Sequence, residues 1–221
     1  MKKIALVFGG SRGIGAACVE ALKREFEVAS TSTASVDIRK PEDVKRAFDE
    51  LEQKHGRKVD CVVANAGINV PPGPMAQFDP DNFRKLVDVN IVGAFNVLAE
   101  AARRVADGGT ILAVTTSLVR HAAPGLGPYS ATKAAVECMI RSMSKELAPR
   151  RVRVNAVAPG PVDTDLFRAG KTEEMKQRSA AMSPLNRIGE PREIGEVVAF
   201  LASDKASWID GQVVQPNGGM V

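Results

Sequence analysis

Tyr129 and Lys133 lie four residues apart in a stretch that the sequence predicts to be helical. On a helix, residues at this spacing share one face about one turn apart, so a phenol and an ammonium would be neighbours. A phenol is a weak acid with a pKa of about 10, and a cation beside it favours the phenolate. The pair could therefore transfer a proton at neutral pH, although the same spacing also occurs on ordinary amphipathic surfaces.

A glycine-rich turn, Gly-Gly-Ser-Arg-Gly-Ile-Gly, follows the apolar run at residues 4–8 and precedes a predicted helix. Glycines permit a tight turn and a close approach to a pyrophosphate, and the amides of a helix N-terminus favour negative charge. No Lys-Ser/Thr follows, which disfavours a nucleoside triphosphatase. We therefore predict dinucleotide binding rather than a purely structural turn. The contact residues would be Gly9, Ser11, Arg12, Gly13, Ile14 and Gly15.

The residues after the second predicted strand indicate which dinucleotide is bound. A carboxylate at that point would bond the ribose 2′-hydroxyl and repel a 2′-phosphate. Thr31 and Ser32 place hydroxyls there instead, and Arg12 in the glycine turn could meet a 2′-phosphate. The pattern favours NADP over NAD.

Apolar runs alternate with helical patterns along the chain. Strands are predicted at 4–8, 28–31, 59–65, 110–115, 152–158 and 212–215, and helices at 14–24, 41–55, 81–105, 129–147, 172–182 and 193–201. This alternation indicates βαβ units and a parallel sheet covered on both faces, so we expect a three-layer, doubly wound α/β fold of the Rossmann type. Repeats, low-complexity tracts and linkers are absent from the sequence, and residues 1–221 are predicted to form a single domain.

The segment between the second strand and Asp37 is unusually short. Only about five residues intervene, whereas a parallel neighbour needs a crossover of a dozen or more. We therefore expect the helix before Asp37 to be missing and any strand near Val36 to be vestigial.

Composition excludes several classes of protein. The chain has 221 residues, 44% hydrophobic and 25% charged, which is typical of a globular protein and not of a disordered or fibrous one. Its net charge is +4, and the densest basic run, at 150–153, has no interleaved aromatic residues. That run predicts a helix end, where cations suit the dipole, rather than a nucleic-acid site.

Cysteines and the first apolar run bear on the cellular compartment. Cys18, Cys61 and Cys138 are far apart and do not form a zinc pattern with the two histidines, so we expect no metal site. Buried free thiols in a reducing compartment are the expected state. The apolar run at 4–8 is too short for a signal peptide or a membrane span, and a cytoplasmic location is expected.

Ordered motifs over essentially the whole length resemble the short-chain dehydrogenase/reductase family, and specifically its 3-oxoacyl-carrier-protein reductases. The glycine turn resembles the family's cofactor loop, with Phe8 in place of the usual threonine. Asp37 and Ile38 resemble the segment whose carboxylate bonds the adenine amino group. Further cofactor contacts implied by the resemblance are Asn65, Ala66 and Gly67 after a strand, Tyr129 and Lys133, and Pro159, Gly160, Val162 and Thr164.

The resemblance also assigns catalytic roles. Tyr129 would be the general acid, Lys133 would lower its pKa and bond the nicotinamide ribose, and Asn90 would hold a relay water. Asn90 could instead bridge a helix kink by bonding backbone. The family's catalytic serine position holds Thr116, and Ser117 follows it, so either hydroxyl could bind a carbonyl.

The activity implied is transfer of a hydride between NADPH and a small-molecule carbonyl or alcohol, without nucleic-acid or membrane partners. Alternatives are a non-catalytic dinucleotide sensor or scaffold, and epimerisation or dehydration on the same scaffold. A lid at 165–185, with apolar and basic residues, could suit an acyl chain on a phosphorylated carrier or be a solvated amphipathic helix. Members of this family pair the helix that carries the tyrosine, so a homodimer or homotetramer is expected.

Overall fold

The computed structural model describes residues 2–221 and contains one six-stranded parallel sheet with the order β2-β1-β3-β4-β5-β6. Residue 1, part of the predicted domain, lies outside the described residues. The sheet confirms the predicted doubly wound α/β class, and the predicted strand bounds are wrong by a few residues at most. The strands are β1 (Lys3–Phe8), β2 (Phe26–Ser30), β3 (Cys61–Ala64), β4 (Thr110–Val114), β5 (Arg153–Val157) and β6 (Val213–Val214).

Helices cover both faces of this sheet and complete the three layers. They are α1 (Gly13–Leu22), α2 (Pro41–His55), α3 (Pro80–Val87), α4 (Ala94–Arg104), α5 (Leu118–His121), α6 (Gly127–Leu147), α7 (Asp165–Arg168), α8 (Glu173–Ala180) and α9 (Pro191–Ala202). Short 3-10 turns occur at Met75–Gln77, Ala148–Arg150 and Asp204–Ala206.

Alternate side chains of each strand enter two separate cores. Ile4 and Leu6 of β1 pack with α2, α4 and α6 on one face, whereas Ala5 and Val7 pack with α1 and α9 on the other. Successive strand residues point to opposite faces, so a strand buried on both sides must be apolar throughout. This requirement explains the continuous apolar runs in the sequence.

The segment from Thr31 to Lys40 contains neither helix nor strand, which confirms that the helix before Asp37 is missing. Val36 and Ile38 nevertheless enter the core that α2 and α4 share. Asn96 of α4 donates to the carbonyl of Ile38 at 2.9 Å. The shortened connection is therefore an anchored turn, and β2 becomes the edge strand of the sheet.

The single long helix predicted at 81–105 is wrong in one respect. Between α3 and α4, residues Asp88–Gly93 form a π-helical segment that contains Asn90. A one-residue π-bulge does not change the apolar periodicity enough to be read from sequence, and such bulges often occur at functional sites. The short helices α5 and α7 were also not predicted, because four-residue helices show no periodicity.

Two expectations about surface and compartment need correction or refinement. Cys18 and Cys61 are buried free thiols as expected, but Cys138 is exposed because it lies on the face of α6 opposite the core residues Val136 and Ile140. Arg150 in the basic run is partly buried and donates to carbonyls that end α4, so it caps a neighbouring helix. Within residues 2–221, no helix is long and apolar enough to cross a membrane.

Gly195 permits α9 to pack directly on α1. A Cβ at this position would lie 2.6 Å from the carbonyl oxygen of Ala17. Gly195→Ala should therefore lower the free energy of unfolding by about 1–3 kcal/mol despite alanine's better helix propensity, because backbone must move. Urea denaturation measures the change. Gly73→Ala, whose new Cβ would meet only Phe78 at 3.8 Å, is the matched control. Equal stability of the two variants would contradict the packing argument.

Candidate active site

The predicted site residues collect at the carboxyl edge of the sheet. The chain passes from β1 outward to β2 and then back across β1 to β3, so the strand order reverses between β1 and β3. In open α/β sheets, ligands bind in the crevice at such a switch point. The glycine turn follows β1, and the other predicted site residues follow β2, β3, β4 and β5 or lie on α6 and the segment before α4.

The glycine turn is folded so tightly that side chains are excluded from it. Gly9 and Gly13 have positive φ angles of 77° and 54°. A Cβ on Gly15 would lie 2.0 Å from the Gly9 carbonyl oxygen. Within residues 2–221, the backbone amides from Ser11 to Gly15 have no hydrogen-bond partner. These amides open α1 and form a cradle that fits a dinucleotide pyrophosphate.

Asn65 holds this turn in place from β3. Its Nδ2 donates to the Gly9 carbonyl at 2.8 Å. A Cβ on Gly9 would lie 2.8 Å from the Cα of Ala66, so the two loops touch through backbone. Asn65 and Ala66, predicted as cofactor contacts, therefore also shape the cradle.

The residues after β2 line the same edge. The carbonyl of Thr31 accepts from the Gly10 amide at 2.9 Å, and its hydroxyl accepts more weakly from Gly9 at 3.4 Å. Ser32 is half-buried beside it. The side chain of Ile38 is buried against Gly93, and its contact with a cofactor stays a prediction.

Asp37 is paired in a way that sequence reasoning missed. Arg39 forms a bidentate ion pair with its carboxylate. The Nε atom donates to Oδ1 at 2.9 Å, and Nη2 donates to Oδ2 at 2.7 Å. Chiefly through this hydrogen bonding, the pKa of Asp37 is lowered to about 2. In the sequence, this pair was signalled by two opposite charges two residues apart, but side chains at that spacing come together only when the backbone forms a turn.

Tyr129 and Lys133 both lie on α6, the helix that the sequence predicts there. The Tyr129 side chain is half-buried, its hydroxyl has no hydrogen-bond partner within residues 2–221, and burial raises its pKa to about 12. Lys133 is buried and its Nζ donates to the carbonyl of Val114 at 3.0 Å. That Lys133 lowers the pKa of Tyr129 stays a prediction, because the Lys133 ammonium donates to the carbonyl that ends β4. The phenol is therefore protonated at neutral pH and holds a proton to donate.

Asn90 connects three parts of the site. Its Oδ1 accepts from the Ile68 amide at 2.9 Å, and its Nδ2 donates to the Ile68 carbonyl at 2.9 Å and to Thr132 at 3.2 Å. The side chain thus bonds backbone beside a distorted helix, which was the structural alternative for this residue. Asn90 Oδ1 and Lys133 Nζ also lie 3.1 and 3.2 Å from the place of a Cβ on Gly67. The two groups therefore converge on one point, and the relay water stays a prediction.

The two candidate hydroxyls after β4 have different environments. Ser117 Oγ donates to the Ala158 carbonyl at 2.7 Å and accepts from Asn217 Nδ2 at 3.0 Å. Thr116 Oγ1 accepts only from the Leu118 amide, at 3.3 Å, and keeps its proton available. A hydroxyl must donate to bind a carbonyl oxygen, so the geometry favours Thr116.

The segment after β5 closes the site. Pro159 accepts from the Ser117 amide at 2.9 Å, and a Cβ on Gly160 would lie 2.9 Å from Asn217. Val162 is buried and bridges to the strand-like Gly189. A methyl of Thr164, which caps α7, lies 3.2 Å from the place of a Cβ on Gly13. The predicted contacts from β5 and from the glycine turn therefore meet.

Glu137 is a further buried group that the sequence analysis did not assign. It lies one turn beyond Lys133 on α6 and accepts from the hydroxyl of Thr115 at 3.0 Å. Burial raises its pKa. With the bond from Lys133 to Val114, this contact joins α6 to the end of β4 at two successive turns.

The fold and site define a dinucleotide-binding α/β protein with a phenol and an amine at the carboxyl edge of its sheet. A family model described as enoyl-(acyl carrier protein) reductase matches residues 4–221. The chain belongs to the short-chain dehydrogenase/reductase family, which confirms the resemblance predicted from its motifs.

Individual relatives agree with this placement. The chain is 40% identical over 188 residues to the NADPH-dependent aldehyde reductase-like protein, chloroplastic, of Arabidopsis thaliana, covering 84% of this chain and 70% of that protein. It is 34% identical over 233 residues to the 3-oxoacyl-[acyl-carrier-protein] reductase MabA of Mycobacterium bovis, covering 100% and 93%. A short-chain dehydrogenase from Burkholderia cenocepacia, solved in complex with NADP, superposes with a TM-score of 0.90 at 28% identity, covering 99% and 97%.

Replacing the buried lysine should stabilise the fold. Burial lowers the Lys133 pKa from 10.5 to about 8, so the folded protein disfavours a charge that the unfolded chain carries up to about pH 10.5. Below pH 8 that penalty is fully present, and it disappears as the pH rises from 8 to 10.5. Lys133→Met should therefore raise the free energy of unfolding at pH 7 by about 1–3 kcal/mol.

Urea denaturation at pH 7 and pH 10 measures this difference. Lys145→Met, on an exposed position of the same helix, is the control and should change stability by less than about 0.5 kcal/mol. If Lys133→Met were stabilised equally at pH 7 and pH 10, the increase in the free energy of unfolding would come from improved packing and not from the removed charge.

Substitution of the two hydroxyls separates their roles. Thr116→Val should lower carbonyl-reducing turnover by about 100-fold or more while changing the free energy of unfolding by less than about 1 kcal/mol. Ser117→Ala should destabilise by about 1–3 kcal/mol, because a buried amide and a carbonyl lose their partner, and should keep turnover within about tenfold. Steady-state kinetics measures turnover of both variants, and urea denaturation measures their stability. A large loss of turnover in Ser117→Ala but not in Thr116→Val would assign catalysis to Ser117.

Proposed function

We propose that this protein is an NADPH-dependent reductase that converts an aldehyde or ketone to an alcohol. The observation that carries the proposal is that α6 brings Tyr129 and the buried Lys133 to the same sheet edge as a cradle of backbone amides that have no partner within residues 2–221. A nicotinamide cofactor supplies the hydride in such a reaction, and the protein supplies orientation and the proton.

The chain's own residues divide the remaining work. Tyr129 donates its proton to the carbonyl oxygen as that oxygen gains negative charge. Thr116 donates a hydrogen bond to the same oxygen and orients it. Lys133 places a positive charge near the phenol, so that the phenolate left after proton transfer is stabilised. Asn90 keeps the loop after β3 in place beside Lys133.

The choice of NADP rests on charge and hydroxyl groups at the β2 end. Thr31 and Ser32 occupy positions where an acid would oppose a 2′-phosphate, and Arg12 projects from an exposed position of the glycine turn. Among relatives, the Arabidopsis thaliana protein is named as NADPH-dependent, and the Burkholderia cenocepacia structure contains NADP. These names support the same cofactor for this chain.

We place the substrate among carbonyl compounds with an apolar, uncharged body. Three of the four basic residues of the lid already pair with acids: Arg168 with Asp163, Lys176 with Glu173, and Arg178 with Glu174. The fourth, Lys171, donates to the carbonyl of Phe167 at 2.6 Å. Exposed apolar side chains occur on the loop after β3 and on the lid. They are Met75, Leu166, Met175 and Leu185. Aldehydes and 3-oxoacyl thioesters both present such a body, whereas an acidic carrier would find no unpaired arginine on this lid.

A non-catalytic sensor is disfavoured by the energetics of the site. A buried lysine costs stability, and a scaffold that only binds nucleotide has no use for that charge beside a phenol.

For assembly, we propose a homodimer or homotetramer in which α6 pairs with a second copy. For location, we propose a reducing compartment such as the cytoplasm, which suits the free thiols of Cys18 and Cys61.

Removing the phenolic hydroxyl tests the proposal directly. Tyr129→Phe should reduce turnover by about 1000-fold while the Kd for NADPH stays within about threefold, because only the proton donor is lost. Loss of NADPH absorbance is followed with neutral aldehydes, diketones, 3-oxoacyl thioesters and carboxylated ketones, and neutral substrates should be turned over fastest. His121→Gln, at the last residue of α5, is the control. Undiminished turnover by Tyr129→Phe would remove the assignment, and a preference for carboxylated ketones would overturn the substrate class.

A further inference from the structure

The core-facing stripe of α6 contains a carboxylate between apolar side chains. Val136 and Ile140 enter the core beside it, and Glu137 itself has only 6% of its surface exposed. Glutamates are rarely buried to this extent unless they are paired. Within residues 2–221, the one salt-bridge partner of Glu137 is Arg141, which is exposed and 4.0 Å from Oε2. A close ion pair therefore does not explain the carboxylate.

The close partner of Glu137 is a neutral hydroxyl at the end of β4. Thr115 Oγ1 donates to Glu137 Oε1 at 3.0 Å, whereas the carbonyl of Val157, its alternative acceptor, lies farther away at 3.5 Å. Thr115 is itself buried, with 4% of its surface exposed. Because a hydroxyl has a single proton to donate, the bond to Glu137 fixes the direction of the Thr115 side chain.

Thr115 begins a run of three buried hydroxyl residues, and the middle one is the candidate carbonyl-binding group. Thr116 is this middle residue, and its hydroxyl keeps its proton available for a ligand. Both of its neighbours are held: Ser117 bonds Asn217 on one side, and Thr115 bonds Glu137 on the other. The Thr116 hydroxyl is thus free to bind while the chain before and after it is anchored.

One of these two anchors comes from the helix that carries the proton donor. Glu137 lies eight residues after Tyr129 and four after Lys133, within the continuous helix α6. A continuous helix keeps its residues at fixed distances. The bond from Glu137 to Thr115 therefore also ties the phenol to the residue that follows Thr115. Misplacement of reacting groups by about 1 Å can lower a rate about 100-fold.

We propose that Glu137 is a positioning residue of the carbonyl reduction, and that it acts through its hydrogen bond to Thr115. That bond fixes the distance between the phenol of Tyr129 and the hydroxyl of Thr116. The inference rests on the proposed function, because the role it assigns is a role in that reaction. Glu137 supplies a directional acceptor, and a glutamine at this position supplies the same acceptor because its amide also has a carbonyl oxygen.

Single substitutions separate the acceptor from the charge. Steady-state kinetics with NADPH and the neutral substrate that the parent reduces fastest gives kcat and KM. Glu137→Met fills similar space without an acceptor, so kcat should fall about tenfold while KM and the Kd for NADPH stay within about threefold, because the bond from Thr116 matters most when the carbonyl oxygen becomes negative. Glu137→Gln should keep kcat within about threefold of the parent.

Glu146→Met is the matched control. Glu146 is an exposed glutamate farther along α6 that accepts from Ser142 at 2.7 Å, and its replacement should leave kcat unchanged. An unchanged kcat in Glu137→Met, or an equal loss in Glu137→Gln, would overturn the proposal.

A double variant distinguishes positioning from a purely structural role. Thr115→Val should lower kcat as much as Glu137→Met does, and Thr115→Val/Glu137→Met should lose about tenfold rather than about 100-fold, because the same bond is removed each time. With both buried partners replaced by apolar groups, the midpoint of thermal unfolding should return to within about 3 °C of the parent. Recovery of kcat together with stability in this variant would show a structural role only and contradict the proposal.

Removal of the Thr116 hydroxyl tests through which group Glu137 acts. In a Thr116→Val background, Glu137→Met should lower kcat by no more than about threefold further. A further tenfold loss would place the effect on Lys133 or Tyr129 and overturn the proposal. Thermal unfolding establishes that each variant is folded, and Thr115→Val decides the same question if Glu137→Met is not.

The parent protein separates this inference from the proposed function. A parent that reduces none of the carbonyl compounds would reject the proposed function and this role with it. An active parent whose kcat survives Glu137→Met would reject the role of Glu137 alone.

Discussion

The contact between the glycine turn and its surroundings is the constraint on which the site depends. The Gly9 carbonyl lies where a side chain on residue 15 would otherwise be, and it accepts the amide of Asn65 from the neighbouring strand. This one oxygen joins β1, α1 and β3 at the point where strand order reverses. The first amides of an α-helix have no intrahelical partner, and within residues 2–221 those that open α1 remain unpartnered at this edge of the sheet. The anion cradle is thus a consequence of backbone proximity and not of any charged side chain.

A second feature is that α6 is joined to β4 through charged groups held inside the protein. Lys133 bonds the carbonyl of Val114, and Glu137 bonds the hydroxyl of Thr115 one turn later. Both groups are desolvated, and their pKa values move in opposite directions toward the neutral forms. These two contacts fix the position of Tyr129 relative to the end of β4, and burying the two groups lowers the free energy of unfolding. That combination is typical of a site in which position and proton affinity matter more than the stability of the fold.

Charge pairing also shapes the two ends of the crevice in contrasting ways. On the side of β2, Arg39 pairs with the carboxylate of Asp37, and within residues 2–221 Arg12 forms no salt bridge with an acidic side chain. On the substrate side, three of the four lid cations pair with neighbouring acids, and apolar groups such as Met75 and Leu185 are exposed. Exposed ion pairs of this kind add little stability. Their effect is on selectivity, because an already paired cation attracts an anionic ligand less strongly.

The sequence by itself determined the class of fold, the family and most of the residues at the carboxyl edge, because strand burial, glycine turns and the tyrosine–lysine spacing are local patterns. It also determined that the helix before Asp37 is missing, since chain length limits a crossover. Tertiary structure decided what local pattern does not carry. The choice between Thr116 and Ser117 depends on whether Asn217, a hundred residues away, occupies one hydroxyl. The proton affinity of Tyr129 depends on burial, and the partner of Asp37 depends on a turn, so both follow from distances between groups in space and not from their order along the chain.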